Sequence, residues 1–378
     1  MSRAGVSPAE VRGARGLLVG ALAVAGLGCP PPSEGPLPAP VPAPAPVPPA
    51  PGPPPPPAAP GPRAISRRLA RGGDSPYDRA LARGDQAYEG ARYAEALAAY
   101  REASALAPED PAAQVGWARA ELAVEQVPEG VNAAVGTPAA MAAARRLARA
   151  VGMDDHHALA LLELGRVRLM LGDFEAAVEP LSRAVALGPD DAEAQSALGI
   201  AKLVTGDAAG AVTALERAAT LEPKSPDRQE NLGTALLQAG RTSQAVVAYE
   251  RAVALAPDDA RYRSNLGTAY LQQNDVKSAL PHLERAVALD PERGSYLSNL
   301  AYARLLQKEP RKAIQMLERA LALDPELASG WINLGNARAQ LGDYAGAREA
   351  YLRARALDPD DPRVEAVMEE LDALEKAP

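Results

Sequence analysis

The sequence predicts an all-α solenoid, antiparallel helix pairs stacked in line into a right-handed superhelix behind a disordered proline-rich tether. Three observations carry this expectation. Pro189, Pro223, Pro257, Pro291, Pro325 and Pro359 stand 34 residues apart, each closing a phrase of the type Arg251-Ala252-Val253-Ala254-Leu255-Ala256-Pro257. Leu-Gly pairs recur in step at Leu198-Gly199, Leu232-Gly233, Leu266-Gly267 and Leu334-Gly335. Near the middle of the units a Gly or Asn precedes Asp, at Gly172-Asp173, Gly206-Asp207, Asn274-Asp275 and Gly342-Asp343. A fixed period of this length marks a small helical unit that buries its apolar face only by stacking on its neighbours.

The composition agrees. A chain of 378 residues with 4% aromatics and a single Phe, Phe174, is dominated by alanine and leucine, as packed helices are. One cysteine, Cys29, excludes a disulfide framework and a multi-cysteine metal site. The first 76 residues hold seven Arg against Glu10, Glu34 and Asp74; removing them from the totals of 40 basic and 48 acidic residues leaves 33 and 45, a net −12. Phosphate backbones need clustered Lys and Arg, so nucleic acid is not expected as a partner.

The N-terminal quarter reads as an address and a spacer. Three arginines and one acid precede Gly16–Gly28, an uninterrupted run of 13 small and apolar residues, too short to span a bilayer. A basic start and a short apolar run are the layout of a secretory signal, here residues 1–28. The cysteine that follows directly makes this segment resemble a bacterial lipoprotein signal, although Gly26 stands where that family prefers Leu. The resemblance implies lipidation at Cys29, export, and a bacterial envelope location on a membrane. From Pro30 to Pro62, 19 of 33 residues are proline. Such a stretch favours extended polyproline II, at about 3.1 Å per residue, and reaches on the order of 100 Å. Residues 29–76 are therefore read as a proline-rich linker ending in a basic connector, 63–76, of undetermined structure.

The body, 77–361, divides into eight units: 77–110, 111–157, 158–191, 192–225, 226–259, 260–293, 294–327 and 328–361. In the unit 226–259, Leu232 at position 7 is an apolar knob and Gly233 at position 8 lets the second helix approach. Gly240 at position 15 ends the first helix, where a left-handed residue favours glycine. Ala245, Tyr249 and Ala252, at positions 20, 24 and 27, face neighbouring helices, and Pro257 at position 32 stops the second helix. The unit 111–157 keeps Ala143, Leu147 and Ala150 in frame, which puts 13 extra residues between its helices, around 126–138; this insertion reads as a contact point or as neutral. Residues 362–378 read as a capping helix. These marks resemble the tetratricopeptide repeat, which implies two antiparallel helices per unit, the first lining a concave surface that takes protein or peptide clients.

Catalysis, cofactors and a small-molecule substrate are not expected. The paired acids Asp154-Asp155, Asp190-Asp191, Asp258-Asp259 and Asp360-Asp361 mostly follow a stop proline and precede a helix, where Asp caps. His156 and His157 diverge by about 100° on a helix and cannot share a metal as i,i+4 ligands do. No phosphate-cradling loop or nucleophile elbow is present, so no metal or catalytic residue is expected.

The strongest functional lead is a row of asparagines. Asn231, Asn265, Asn299 and Asn333 occupy position 6 of four consecutive units, with Ala197 and Glu163 in the two before. A primary amide both donates and accepts, so an even row can bond an extended backbone without reading its sequence. Asn costs roughly 0.5 kcal/mol against Ala in a helix. The row resembles the asparagine ladder in the repeat domain of O-linked N-acetylglucosamine transferase, which implies peptide contact. Thr234, Gln238, Thr268, Gln272, Tyr302 and Asn336 join it as candidate peptide-binding residues. Without a Lys/Arg cluster, this surface differs from the basic clamp of relatives that hold a chaperone's carboxylate terminus. The expectation is a membrane-tethered scaffold for extended, neutral polypeptide, by fold analogy in envelope assembly or secretion. A spacer or self-association module, and the recognition subunit of a separate enzyme, are the alternatives.

Overall fold

The computed structural model describes residues 64–376. The expected signal segment, Cys29 and the proline-rich run lie outside the described residues. Among the described residues there are seventeen helices and no strand. Eight pairs follow in order: α1 (Pro76–Glu89) with α2 (Tyr93–Leu106), α3 (Pro111–Val124) with α4 (Pro138–Met153), and α5 (Ala158–Leu171) with α6 (Phe174–Leu187). Then come α7 (Ala192–Val204) with α8 (Ala208–Leu221), α9 (Pro226–Gln238) with α10 (Thr242–Leu255), and α11 (Ala260–Gln272) with α12 (Val276–Leu289). The last pairs are α13 (Gly294–Leu306) with α14 (Pro310–Leu323) and α15 (Ala328–Gln340) with α16 (Tyr344–Leu357), closed by α17 (Pro362–Lys376). None of these helices is long and apolar enough to cross a membrane.

Local chemistry sets the helix limits. The side chains of Asp110, Asp191, Ser225 and Asp259 each accept a backbone N–H in the first turn of the following helix, satisfying donors the helix leaves open. The α5 start differs: His157, not Asp154 or Asp155, is the cap, its Nδ1 accepting from Ala160 N at 3.1 Å. Between the helices of a pair, position 15 takes positive φ in seven of the eight units, whatever the residue: Gly172, Gly206, Gly240 and Gly342, but also Ala91 (55°), Asn274 (63°) and Lys308 (62°); in the unit with the insertion Glu125 keeps φ −77°.

Packing follows the period. Ala96, Ala143, Ala177, Ala211, Ala245, Ala279, Ala313 and Ala347, at position 20, are all fully buried. Position 24 fills the gap opened at position 8: a Cβ on Gly233 would lie 2.8 Å from the Tyr249 ring, and one on Gly267 2.6 Å from Leu283 Cγ. The first helices of successive units touch one another besides their own partners, so they form the inside of the curve. The insertion after α3 is folded onto α5, where Asn132 N and Ala134 N donate to the Leu169 and Met170 carbonyls at 3.0 and 2.9 Å. Those carbonyls lie in the last turn, where a helix lacks partners of its own.

Candidate peptide-binding groove

The asparagine row lies on the inner helices and is stitched from unit to unit. Asn231 Nδ2 donates to Ser196 Oγ at 3.3 Å, Asn265 to Glu230 Oε1 at 2.8 Å, Asn299 to Ser264 Oγ at 3.1 Å and Asn333 to Ser298 Oγ at 3.1 Å. Each bond runs from position 6 to position 5 of the unit before. Asn231 and Asn265 are buried, while Asn299 and Asn333 are half-buried. The amides are thus held in fixed orientation by neighbouring helices.

The other expected residues disperse. Thr234 is buried, bonded to the Glu230 carbonyl at 3.1 Å and to Tyr249 Oη at 2.8 Å. Thr268 donates to the Ser264 carbonyl at 2.9 Å, Gln238 is exposed, and Gln272 is half-buried. Tyr302, Asn333 and Asn336 come together in a cleft of about 390 Å³ closed by Arg363 and Val367 of α17. There Asn336 Oδ1 accepts from Tyr351 Oη at 2.7 Å. Asn231 lies in a second cleft, of about 590 Å³, with Arg166, Glu193, Asp227 and Glu129 of the insertion.

One stitch carries charge. Glu230 is fully buried, with Oε2 2.7 Å from Arg261 Nη1. Arg261 also reaches Asp227 Oδ1 at 3.0 Å and lies 4.6 Å over the Tyr262 ring. Burial outweighs the attraction of Arg261 and pushes the Glu230 carboxyl up to about 8. In the turn between α4 and α5, Asp154, Asp155 and His156 bring one ligand atom each within 4.8 Å of one another. Asp155 and His156 are exposed, and His156 Nδ1 faces Asp155 Oδ1 at 2.5 Å, so this cluster is a solvated turn.

The residues before α1 occupy the inner face of the first units. Residues 64–70 alternate: Ile65 and Leu69 are buried and Arg67 is half-buried, while Ala64, Ser66 and Arg68 are exposed, the two-residue period of extended chain. Asp85 Oδ2, on α1, accepts from the backbone N–H of both Leu69 and Ala70 at 2.8 Å. Arg119 Nη1, on α3, donates to the Arg67 carbonyl at 3.1 Å. The Arg67 guanidinium forks onto Asp191 at 3.0 and 3.1 Å and reaches Glu193 Oε2 at 3.0 Å. Ile65 N donates to Asp191 Oδ2 at 3.1 Å. Burial alone would raise the Glu193 carboxyl; Arg166 and Arg67 outweigh it and hold it at about 2.

Family models described as Tetratricopeptide repeat match residues 140–192, 171–229, 196–260, 230–294 and 264–315, and a further model of that description matches 304–371. Together they cover well over half of the chain. The chain belongs to the tetratricopeptide repeat family. Among solved structures it is similar to the crystal structure of the APC/C hetero-tetramer Cut9–Hcn1, at TM-score 0.54 and 18% identity, over 78% of this chain and 55% of that one. The tetratricopeptide array thus spans little more than half the length of that relative. It is similar also to pilF of Pseudomonas aeruginosa, at TM-score 0.46 and 22% identity, over 57% of this chain and 98% of that one. A third likeness is to YrrB, described as a TPR protein with an unusual peptide-binding site, at TM-score 0.38 and 18% identity, over 50% and 97%. These are likenesses of fold. No curated protein matches the chain. As a tetratricopeptide repeat protein it is of the protein–protein interaction scaffold class.

The contact that sequence reasoning missed is the docked segment 64–70 of this tetratricopeptide array, read only as a basic connector. Its signal was the alternation Ile65-Ser66-Arg67-Arg68-Leu69. Two further signs stood within the units. Position 9 is acidic only at Asp85, and position 31 is glycine only at Gly188, where the other units carry Ala107, Asp154, Glu222, Ala256, Asp290, Asp324 and Asp358.

Proposed function

We propose that the protein is an exported scaffold, tethered to a bacterial envelope membrane through a lipid on Cys29, which holds extended polypeptide along the inner helices of its array. Its clients are proteins of envelope assembly or secretion. The observation that carries the reading is that these helices already hold an extended chain by its main-chain groups: Asp85 takes two backbone N–H groups and Arg119 a backbone carbonyl. Recognition through backbone groups on a preformed surface costs the array little ordering. The oriented amides of Asn231, Asn265, Asn299 and Asn333, with Tyr302 and Asn336 beside them, continue the same polar face toward the C-terminal units.

Site-specific photo-crosslinking in the full chain tests the reading. A crosslinker at Tyr302 is expected to capture client polypeptide, and one at Lys312 on the outer helix α14 is not. Equal capture at both places, or none at Tyr302, removes the groove from the proposal. Intact mass of the chain beside Cys29→Ser tests the tether: a diacyl increment on a new N-terminal cysteine, absent from the variant, is expected.

A further inference from the structure

Resting on that reading, we propose that the inner face of the first four units is a binding site for a partner's extended segment, of the pattern apolar–x–Arg–x–apolar. Residues 65–69 of the chain itself fill it as a built-in occupant.

The site is complete without its occupant. Each carboxylate that grips the segment is held by the array through another bond. Asp85 Oδ1 accepts from Tyr100 Oη at 2.9 Å and Asp191 Oδ1 from Ala194 N at 2.8 Å, and Glu193 Oε1 forms an ion pair with Arg166 Nη1 at 3.0 Å. Arg119, which takes the Arg67 carbonyl, is held by Glu163 at 3.3 Å and by the Tyr88 ring at 4.4 Å. Removing the segment leaves two carboxylates, Asp191 and Glu193, which stand 124 and 126 positions from Arg67 in the chain and are aimed at one place in the groove. That is a receptor for one guanidinium, whose planar fork suits a carboxylate better than an ammonium does.

Shape selects the flanking residues. Ile65 sits on Gly188, where a Cβ would lie 2.5 Å from Ile65 Cγ1. Leu69 joins the apolar cluster of the first units. Each of these side chains stands two positions from the arginine, the spacing at which extended chain puts side chains on one face. The exposed residues between them are not enclosed: Ser66 is exposed, and the Arg68 guanidinium pairs at the surface with the exposed Glu89.

The occupant is built to exchange. Only Ile65 and Leu69 of the segment are buried, against the entropy of ordering the whole stretch. At its Ala64 end the site opens into the 590 Å³ cleft that holds Asn231, so a longer client that displaces the segment continues onto the asparagine row.

The test uses the full chain and a labelled peptide of the sequence of residues 63–71. A chain released by Ile65→Ser, Arg67→Ser and Leu69→Ser together is expected to bind the peptide in fluorescence anisotropy at least tenfold more tightly than the wild type. Replacing the arginine that corresponds to Arg67 by Glu in the peptide, or Asp191→Asn with Glu193→Gln in the released chain, is expected to weaken binding at least tenfold. Equal binding by wild type and released chain, or indifference to the arginine, overturns the proposal. If the released chain does not fold, hydrogen exchange of the wild type decides. Excess peptide must accelerate exchange at the Leu69 and Ala70 amides, and no acceleration overturns the proposal. A wild type that runs as a dimer by exchange of this segment assigns the site to a second copy and overturns the choice of a foreign segment. Crosslinking at Tyr302 without peptide binding here sinks this inference and leaves the broader function standing.

Discussion

Asn265 Nδ2 lies 2.8 Å from Glu230 Oε1, across the boundary between two units. The same step of 35 residues joins Ser264 to Asn299 and Ser298 to Asn333. Where serine is the acceptor the link is neutral. Where Glu230 takes its place, a carboxyl with no exposure is built into the spine of the array.

That carboxyl predicts a pH dependence. The Glu230 group is raised from 4.5 to about 8 in the folded chain. Its contribution is therefore complete below the unfolded value and is lost as pH rises through about 8. Glu230→Gln should flatten the fall in stability between pH 6 and pH 9, by roughly 1–3 kcal/mol at the alkaline end. Urea melts of both chains across that range check it; parallel profiles would remove Glu230 as the cause.

On the acid side His157 should act. Burial lowers its pKa below 6.5, and its neutral Nδ1 caps α5. A lowered histidine contributes stability above its unfolded value that is lost as pH falls through the folded one. His157→Asn, which keeps a capping acceptor without a titrating ring, should lose less stability than the wild type between pH 7 and pH 5. Thermal melts at the two pH values measure the difference.

The left-handed residue between paired helices is glycine in four units but Ala91 and Lys308 in two others. A non-glycine residue there carries about 1–2 kcal/mol of strain. Ala91→Gly and Lys308→Gly should each stabilise the array by up to about 1 kcal/mol, the gain reduced by the freedom glycine adds to the unfolded chain. Gly240→Ala should do the reverse. Denaturant midpoints at constant slope are the measurement.

Glycine at position 8 and the side chain at position 24 should be energetically coupled. Gly233→Ala drives a methyl to 2.8 Å from the Tyr249 ring and should cost about 1–3 kcal/mol. Tyr249→Leu recreates the pairing that Ala118 with Leu147 and Ala301 with Leu317 already use, all four fully buried or nearly so. A double-mutant cycle should therefore return a favourable coupling of about 1 kcal/mol or more. Additive effects would show that the ring does not depend on the glycine.

Gly188→Ala should loosen the docked segment and little else, because the backbone there has negative φ and the methyl meets Ile65. Arg67 and Arg68 then become faster sites for trypsin, with the melting of the array unchanged. Unaltered cleavage would mean that Ile65 does not depend on that close approach.

The fold was legible in the residues because each of its determinants is local or periodic. Pro257 follows the end of a helix it cannot continue, Gly240 can turn left-handed without strain, and Ala245 and Ala252 recur at the spacings of packed helices. The candidate site was half legible. The asparagines could be counted, but their partners stand 35 residues away, and nothing in the chain says that Ser264 faces Asn299 rather than solvent. Thr234 looked like a groove residue by its position, and the ring of Tyr249 turns it inward.

The sequence by itself determined the period, the helix pairs and the small-residue columns, since those follow from backbone preferences and from unit-to-unit burial. Only the tertiary structure decided what lies in the groove. Asp85, Asp191 and Arg119 are scattered along the chain. They converge on residues 65–70 only after stacking has bent the inner helices around a common face, so the alternation of Ile65, Arg67 and Leu69 marks extended chain without saying which distant side chains receive it.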